Sequence, residues 1–131
     1  MNKDTYPDIV VGANVGDPST GTNAGYVRVY SGKDGKILHT FNGDKANDQM
    51  GSGASGVGDI DKDGYADVAV GAPLADPTTG VNAGIVRVFS GKDGKILKTI
   101  AGLKAGNLFG GSVRGALAWV AWGGAPVGVV C

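Results

Sequence analysis

The chain has 131 residues, enough for one small domain, with 12 basic and 12 acidic side chains and a formal net charge of zero. That balance, with no basic cluster, excludes a long-range electrostatic pull on nucleic acid or on an anionic membrane. A single cysteine, Cys131, excludes an internal disulfide, and the longest apolar stretch, 116–122, is too short to span a bilayer.

The N-terminus, Met1-Asn2-Lys3-Asp4, is polar and lacks the pattern of a signal peptide. Glycine supplies 25 residues, helical periodicity is almost absent, and short β-branched runs alternate with turn residues. This predicts an all-β chain. Strands are expected at 8–13, 25–31 and 36–42, then at 53–58, 67–72, 84–90 and 95–101. The glycine-rich run 53–58, with its small side chains, suits the crowded centre of a radial array. The Asp93-Gly94 pair signals a hairpin turn between the last two strands.

The chain also repeats itself. Residues 8–43 align with 67–102 without a gap, at an offset of 59 residues, with 24 identities in 36 positions. Ser31-Gly32-Lys33-Asp34-Gly35-Lys36-Ile37-Leu38 recurs unchanged from Ser90 to Leu97. A period near 60 with four strands, here named A to D, indicates propeller-type blades, each a four-stranded antiparallel meander. In such a meander the A–B and C–D turns lie on one face of the array, and the B–C and D–A loops on the other.

The stretch with most chemistry is Asp59-Ile60-Asp61-Lys62-Asp63-Gly64-Tyr65-Ala66-Asp67, at the A–B turn of the complete unit. Four carboxylates within nine residues repel one another unless a hard cation that accepts several oxygen ligands lies among them. Asp59, Asp61, Asp63 and Asp67 are the candidate side-chain ligands of a Ca²⁺ ion, and Tyr65 the candidate backbone-carbonyl ligand. A solvated acidic turn is the plainer alternative; the coincidence of alternation, glycine and fourth aspartate favours the metal. An EF-hand would need a bidentate Glu at the twelfth position and helices on both sides, whereas here that position is Val70 and a short strand follows.

Asp-x-Asp-x-Asp-Gly-x-x-Asp, a β-branched strand, then Gly71-Ala72-Pro73, with Phe109-Gly110 opening the next unit, resembles the FG-GAP repeat of integrin α-subunit β-propellers and of many bacterial secreted proteins. The resemblance covers residues 1–112. It implies an incomplete propeller: 1–49 a partial blade with strands B to D, 50–108 a complete blade with the calcium loop, and 109–131 the start of a third repeat that diverges into an apolar tail. It also implies a structural role for the metal, which would stiffen the A–B turn.

The copies differ at their ends. Asn2, Asp4, Tyr6 and Asp8 align with Asp61, Asp63, Tyr65 and Asp67, but the first aspartate is missing and Thr5 stands where Gly64 stands, which predicts a weak or absent second site. No acidic residue follows Asp93, so no third acidic loop exists in this sequence. A strand at 113–122 is expected, able to take the strand A place missing from the first unit. Trp119 and Trp122 would cover an open edge, bind a partner, or simply stand out of context.

No catalytic set emerges. His39 is the only histidine and is assigned a surface role; Arg28 and Arg87 are assigned to stem packing and pairing at a blade edge. The expected function is that of a non-catalytic calcium-binding segment for adhesion or protein interaction, placed extracellularly by the resemblance. A protein or glycan ligand would bind the face opposite the calcium loop. No nucleic acid and no membrane span are expected; head-to-tail self-association or further blades would complete the array. Two alternatives stay open: an accessory part of a larger secreted enzyme, and a truncated product without an evolved role.

Overall fold

The computed structural model describes residues 1–115. Seven strands follow one another: β1 (Ile9–Ala13), β2 (Tyr26–Tyr30), β3 (Ile37–Asn42), β4 (Gly53–Gly58), β5 (Asp67–Ala72), β6 (Ile85–Phe89) and β7 (Ile96–Ala101). Each lies within a residue of its expected bounds, because period-2 alternation and the flanking turn residues both act locally. They form two antiparallel meanders, a three-stranded sheet ordered β1-β2-β3 and a four-stranded sheet ordered β4-β5-β6-β7. These are the two blades. No helix occurs among the described residues, and none there is long and apolar enough to cross a membrane.

The blades stack face to face through one apolar core. From the first blade come Val27, Val29 and Phe41, from the connection between the blades Met50, and from the second blade Val68, Val70, Ala72, Ala75, Ile85 and Phe89. The rings of Phe41 and Phe89 stack across the junction, with centroids 4.2 Å apart. Alternation decides this arrangement, since successive side chains on a strand point to opposite faces. Burying a valine side chain contributes about 1.5–3 kcal/mol, and the four valines here are at most 1% exposed. A second cluster, Val57, Ala69, Val86, Val88 and Val113, lies on the far face of the second blade.

Loop contacts confirm the two-faced arrangement. The C–D turn reaches the end of the A–B loop, where the Gly91 N–H donates to Asp67 Oδ1 at 3.1 Å. On the other side the D–A loop of the first blade meets both B–C loops: the Gln49 N–H donates to the Asn23 carbonyl at 3.2 Å and the Leu74 N–H to the Asp48 carbonyl at 3.3 Å.

Val113 is buried against the second blade and the Gly115 N–H donates to Ser55 Oγ at 2.8 Å, so the described start of the tail runs beside β4, away from β1. Residues 113–115 are not in strand conformation, and the rest of the expected strand, with Trp119 and Trp122, lies outside the described residues. His39 is not a simple surface residue: it is half-buried, its Nε2 lies 2.8 Å from the Gly91 carbonyl, and its ring stacks on Phe41. It bridges the blades because β3 directs the 39 and 41 positions toward the junction.

Candidate metal centre

The acidic loop closes the turn between β4 and β5. Its shape is written by short side-chain-to-backbone bonds of the kind Asp favours in turns. Asp59 Oδ1 and Oδ2 accept the N–H groups of Asp63 and Gly64 at 3.0 and 2.7 Å. Asp61 Oδ1 accepts the Asp63 N–H at 3.1 Å, and Asp63 Oδ1 accepts the Tyr65 N–H at 2.8 Å. Gly64 adopts φ +87°, a left-handed conformation that costs glycine little.

Asp67 anchors the far end. It is fully buried, and both oxygens accept backbone N–H groups, Oδ2 from Ile60 at 2.7 Å and Oδ1 from Gly91 at 3.1 Å. The Gly91 turn can approach only because it has no side chain: a Cβ there would lie 1.7 Å from the Ala66 carbonyl oxygen. The first copy repeats the device. Asp8 Oδ1 accepts the Gly32 N–H at 3.2 Å, and a Cβ on Gly32 would lie 1.7 Å from the Pro7 carbonyl oxygen.

Three of the sequence-predicted side chains converge. Asp59, Asp61 and Asp67 each offer a carboxylate oxygen within 4.8 Å of the other two. Oxygen ligands lie 2.3–2.6 Å from calcium, so oxygens on opposite sides of one ion stand about 4.6–5.2 Å apart, and this donor set fits a single hard cation. Asp63 lies outside that group, with its Oδ1 engaged by the loop backbone. The Tyr65 ring packs beneath the ammonium groups of Lys3 and Lys92, 3.9 and 5.9 Å from its centroid.

The electrostatics agree with the donor geometry. The Asp61 carboxyl is pushed above its ordinary value, first by loss of solvent around it and then by the negative charges of Asp63, Asp67 and Asp59. A cation placed among these groups relieves that repulsion.

The partial loop of the first unit has almost the same backbone. Lys3 and Lys62 have φ of 62° and 63°, and Thr5 takes φ 73° where Gly64 takes 87°. The Asp4 N–H donates to Asn2 Oδ1 and the Tyr6 N–H to Asp4 Oδ1, as in the second copy. Where the second copy has Asp61, it has the neutral side chain of Asn2.

Sequence reasoning missed Gly91, whose N–H holds the buried acid, and the two lysines over Tyr65. The recurrence of Gly32 as Gly91 was the available signal. Pairing at a blade edge was expected for Arg87, but not its partner: the ion pair with Asp44 spans the blades on the opposite face and borders a cavity of about 180 Å³ lined by Lys45, Asp48, Asp76 and Thr99.

Residues 51–89 match the FG-GAP repeat family. The chain is 39% identical over 80 residues to integrin alpha-6 of Homo sapiens, covering 58% of this chain and 7% of that protein. It is 34% identical over 123 residues to integrin alpha-6 of Gallus gallus, covering 88% of this chain and 11% of that protein. The chain thus spans roughly a tenth or less of the length of these relatives. With the acidic loop, the strand after it and the Gly71-Ala72-Pro73 turn all inside the matched residues, residues 51–89 are an FG-GAP repeat, and the chain is an integrin alpha-like repeat fragment.

Proposed function

We propose that this chain is a non-catalytic, calcium-stiffened run of propeller blades that serves adhesion or protein–protein interaction. In this reading residues 1–49 are a partial blade, 50–108 a complete one and 109–131 the opening of a third repeat. The observation that carries it is the convergence of the Asp59, Asp61 and Asp67 oxygens at the A–B corner of an FG-GAP repeat.

Asp59, Asp61 and Asp67 would hold Ca²⁺ directly. Asp63 and the Tyr65 carbonyl would complete the cage after small rotations within the loop. Bound calcium supplies charge neutralisation and a fixed corner. The protein supplies the rest, with Asp67 tying the A–B loop to the C–D turn through the Gly91 N–H. The sole histidine is committed to the blade junction, which supports a non-catalytic reading. The interaction face is the opposite one, where the B–C and D–A loops gather around Asp44, Asp76 and Arg87. Extracellular calcium modules bind at about 10⁻⁴–10⁻³ M, and a loop of that class supports a working place outside the cell or on its surface.

Calorimetric titration tests this. Wild-type protein should show one dominant Ca²⁺ site, absent in Asp61→Ala, and no comparable response to Mg²⁺, which demands a tighter octahedral cage. Undiminished calcium binding by Asp61→Ala would overturn the ligand assignment.

A further inference from the structure

The two copies of the acidic corner differ in what stands over their tyrosine. Tyr65 carries two ammonium groups, with Lys3 Nζ 3.9 Å and Lys92 Nζ 5.9 Å from its ring centroid. Tyr6 holds the same position in the first copy and is 53% exposed. Among the described residues no cation stands over the Tyr6 ring, although Lys33 occupies the place of Lys92 at the offset of 59 residues. Of the two corners, the one with the converging carboxylates is therefore the one that gathers the lysines.

Both lysines are exposed, and among the described residues neither forms an ion pair with a carboxylate. The ring holds them instead, through the negative face of its quadrupole. Lys3 also lies against the loop itself: a Cβ on Gly64 would stand 2.8 Å from its Nζ. The two reach the ring from different places, Lys3 from the segment before β1 and Lys92 from the C–D turn of the second blade. Their charges thus sit beside the cation position while the carboxylate oxygens stay free to face it. A metal-free acidic loop attracts an ammonium group placed there; a divalent ion in the loop repels it.

We propose that Lys3, backed by Lys92, sets the calcium affinity of the loop: its ammonium group, resting on the Tyr65 ring, competes with Ca²⁺ for the field of the four carboxylates and weakens calcium binding. The inference rests on the calcium reading above and adds a regulating charge to it. Linkage makes the competition reciprocal. Calcium at the second blade's corner loosens the hold on Lys3, and with it one contact between the segment leading into the first blade and the second blade.

Calorimetric Ca²⁺ titration of wild type, K3M, K3M/K92M and K33M tests this at about 0.01 M and about 1 M NaCl, where charges are felt over about 30 Å and about 3 Å. K3M keeps an apolar stem over the ring and removes only the charge. At low salt it should bind calcium about two- to fivefold more tightly than wild type, the factor that matches the free energy of an exposed cation–π contact. The double variant should bind more tightly still. At high salt the ratio of each to wild type should fall to about one. K33M removes the same net charge from the other copy and should match wild type throughout. Equal or weaker binding by K3M overturns the proposal, and so does a gain that persists at high salt. A gain of the same size in K33M also overturns it, by making net charge alone the cause. A wild type that takes up no calcium removes the calcium reading and this inference with it; wild-type binding that K3M leaves unchanged removes only the role of Lys3.

Discussion

Asp67 is assigned two jobs, and two alanine variants separate them. Asp67→Ala removes an acceptor for two backbone N–H groups, those of Ile60 and Gly91, and the site is fully buried. Hydrogen bonds to a charged group are worth about 1.5–3 kcal/mol each, so the loss without any metal should be about 3–6 kcal/mol. That is a large share of the roughly 5–15 kcal/mol available to a small domain. Asp61→Ala removes one acceptor, for the Asp63 N–H, in an exposed loop. Its cost without metal should be about 1 kcal/mol or less. Calcium at twentyfold over its dissociation constant would add RT ln 21, about 1.8 kcal/mol, to the wild-type stability. Urea unfolding in EDTA and in calcium, on all three proteins, gives the comparison. In EDTA only Asp67→Ala should be badly weakened; on adding calcium, both variants should lose the wild-type increment. If Asp67→Ala in EDTA lies within about 1 kcal/mol of wild type, the buried carboxylate does not tie the loops together and the reasoning fails.

Further outcomes follow from the same contacts. Gly91→Ala places a Cβ 1.7 Å from the Ala66 carbonyl oxygen; pushing the turn off Asp67 should cost more than about 2 kcal/mol in urea unfolding, and a neutral result would show that the two segments separate freely. Thr5 holds φ 73° at the position where the other copy has Gly64, so Thr5→Gly should stabilise by about 0.5–1 kcal/mol after the extra unfolded-state entropy of glycine is counted. A loss of stability would mean that the hydroxyl or methyl of Thr5 outweighs the backbone strain. The Asp48 carboxyl is raised above its ordinary value, chiefly by burial, with the charges of Asp44 and Asp76 adding to the effect. The folded state therefore binds this proton more tightly than the unfolded chain does. The resulting penalty is absent at low pH and grows as pH rises from the unfolded toward the folded value. Asp48→Asn should consequently raise stability at pH 7, with the gain fading as pH falls through the acid range. Asn107, which accepts the Lys104 N–H at 2.9 Å in the other copy, shows that the amide keeps the loop bond. A pH-independent difference in chemical-denaturation midpoints would refute the assignment.

Much of this protein was legible in its residues. The bounds of all seven strands, the offset of 59 and the position of the acidic corner are local properties: alternation, turn residues and repeated words act over a few positions and need no partner from afar. The FG-GAP resemblance was legible for the same reason, since its words Asp59–Asp67 and Gly71-Ala72-Pro73 are contiguous. The geometry of the acidic corner was legible only in part. Asp59, Asp61 and Asp67 converge while Asp63 does not, and which oxygens point inward depends on how loop N–H groups compete for the same carboxylates. The tertiary structure alone decided the remainder. Gly91 meets Asp67 across 24 residues, Arg87 meets Asp44 across 43, and His39 meets the Gly91 carbonyl across 52. These contacts join turns to loops or one blade to the next. A strand's own sequence records which face is apolar, but the neighbour that covers that face is chosen by how whole sheets stack, and stacking depends on residues far away in the chain.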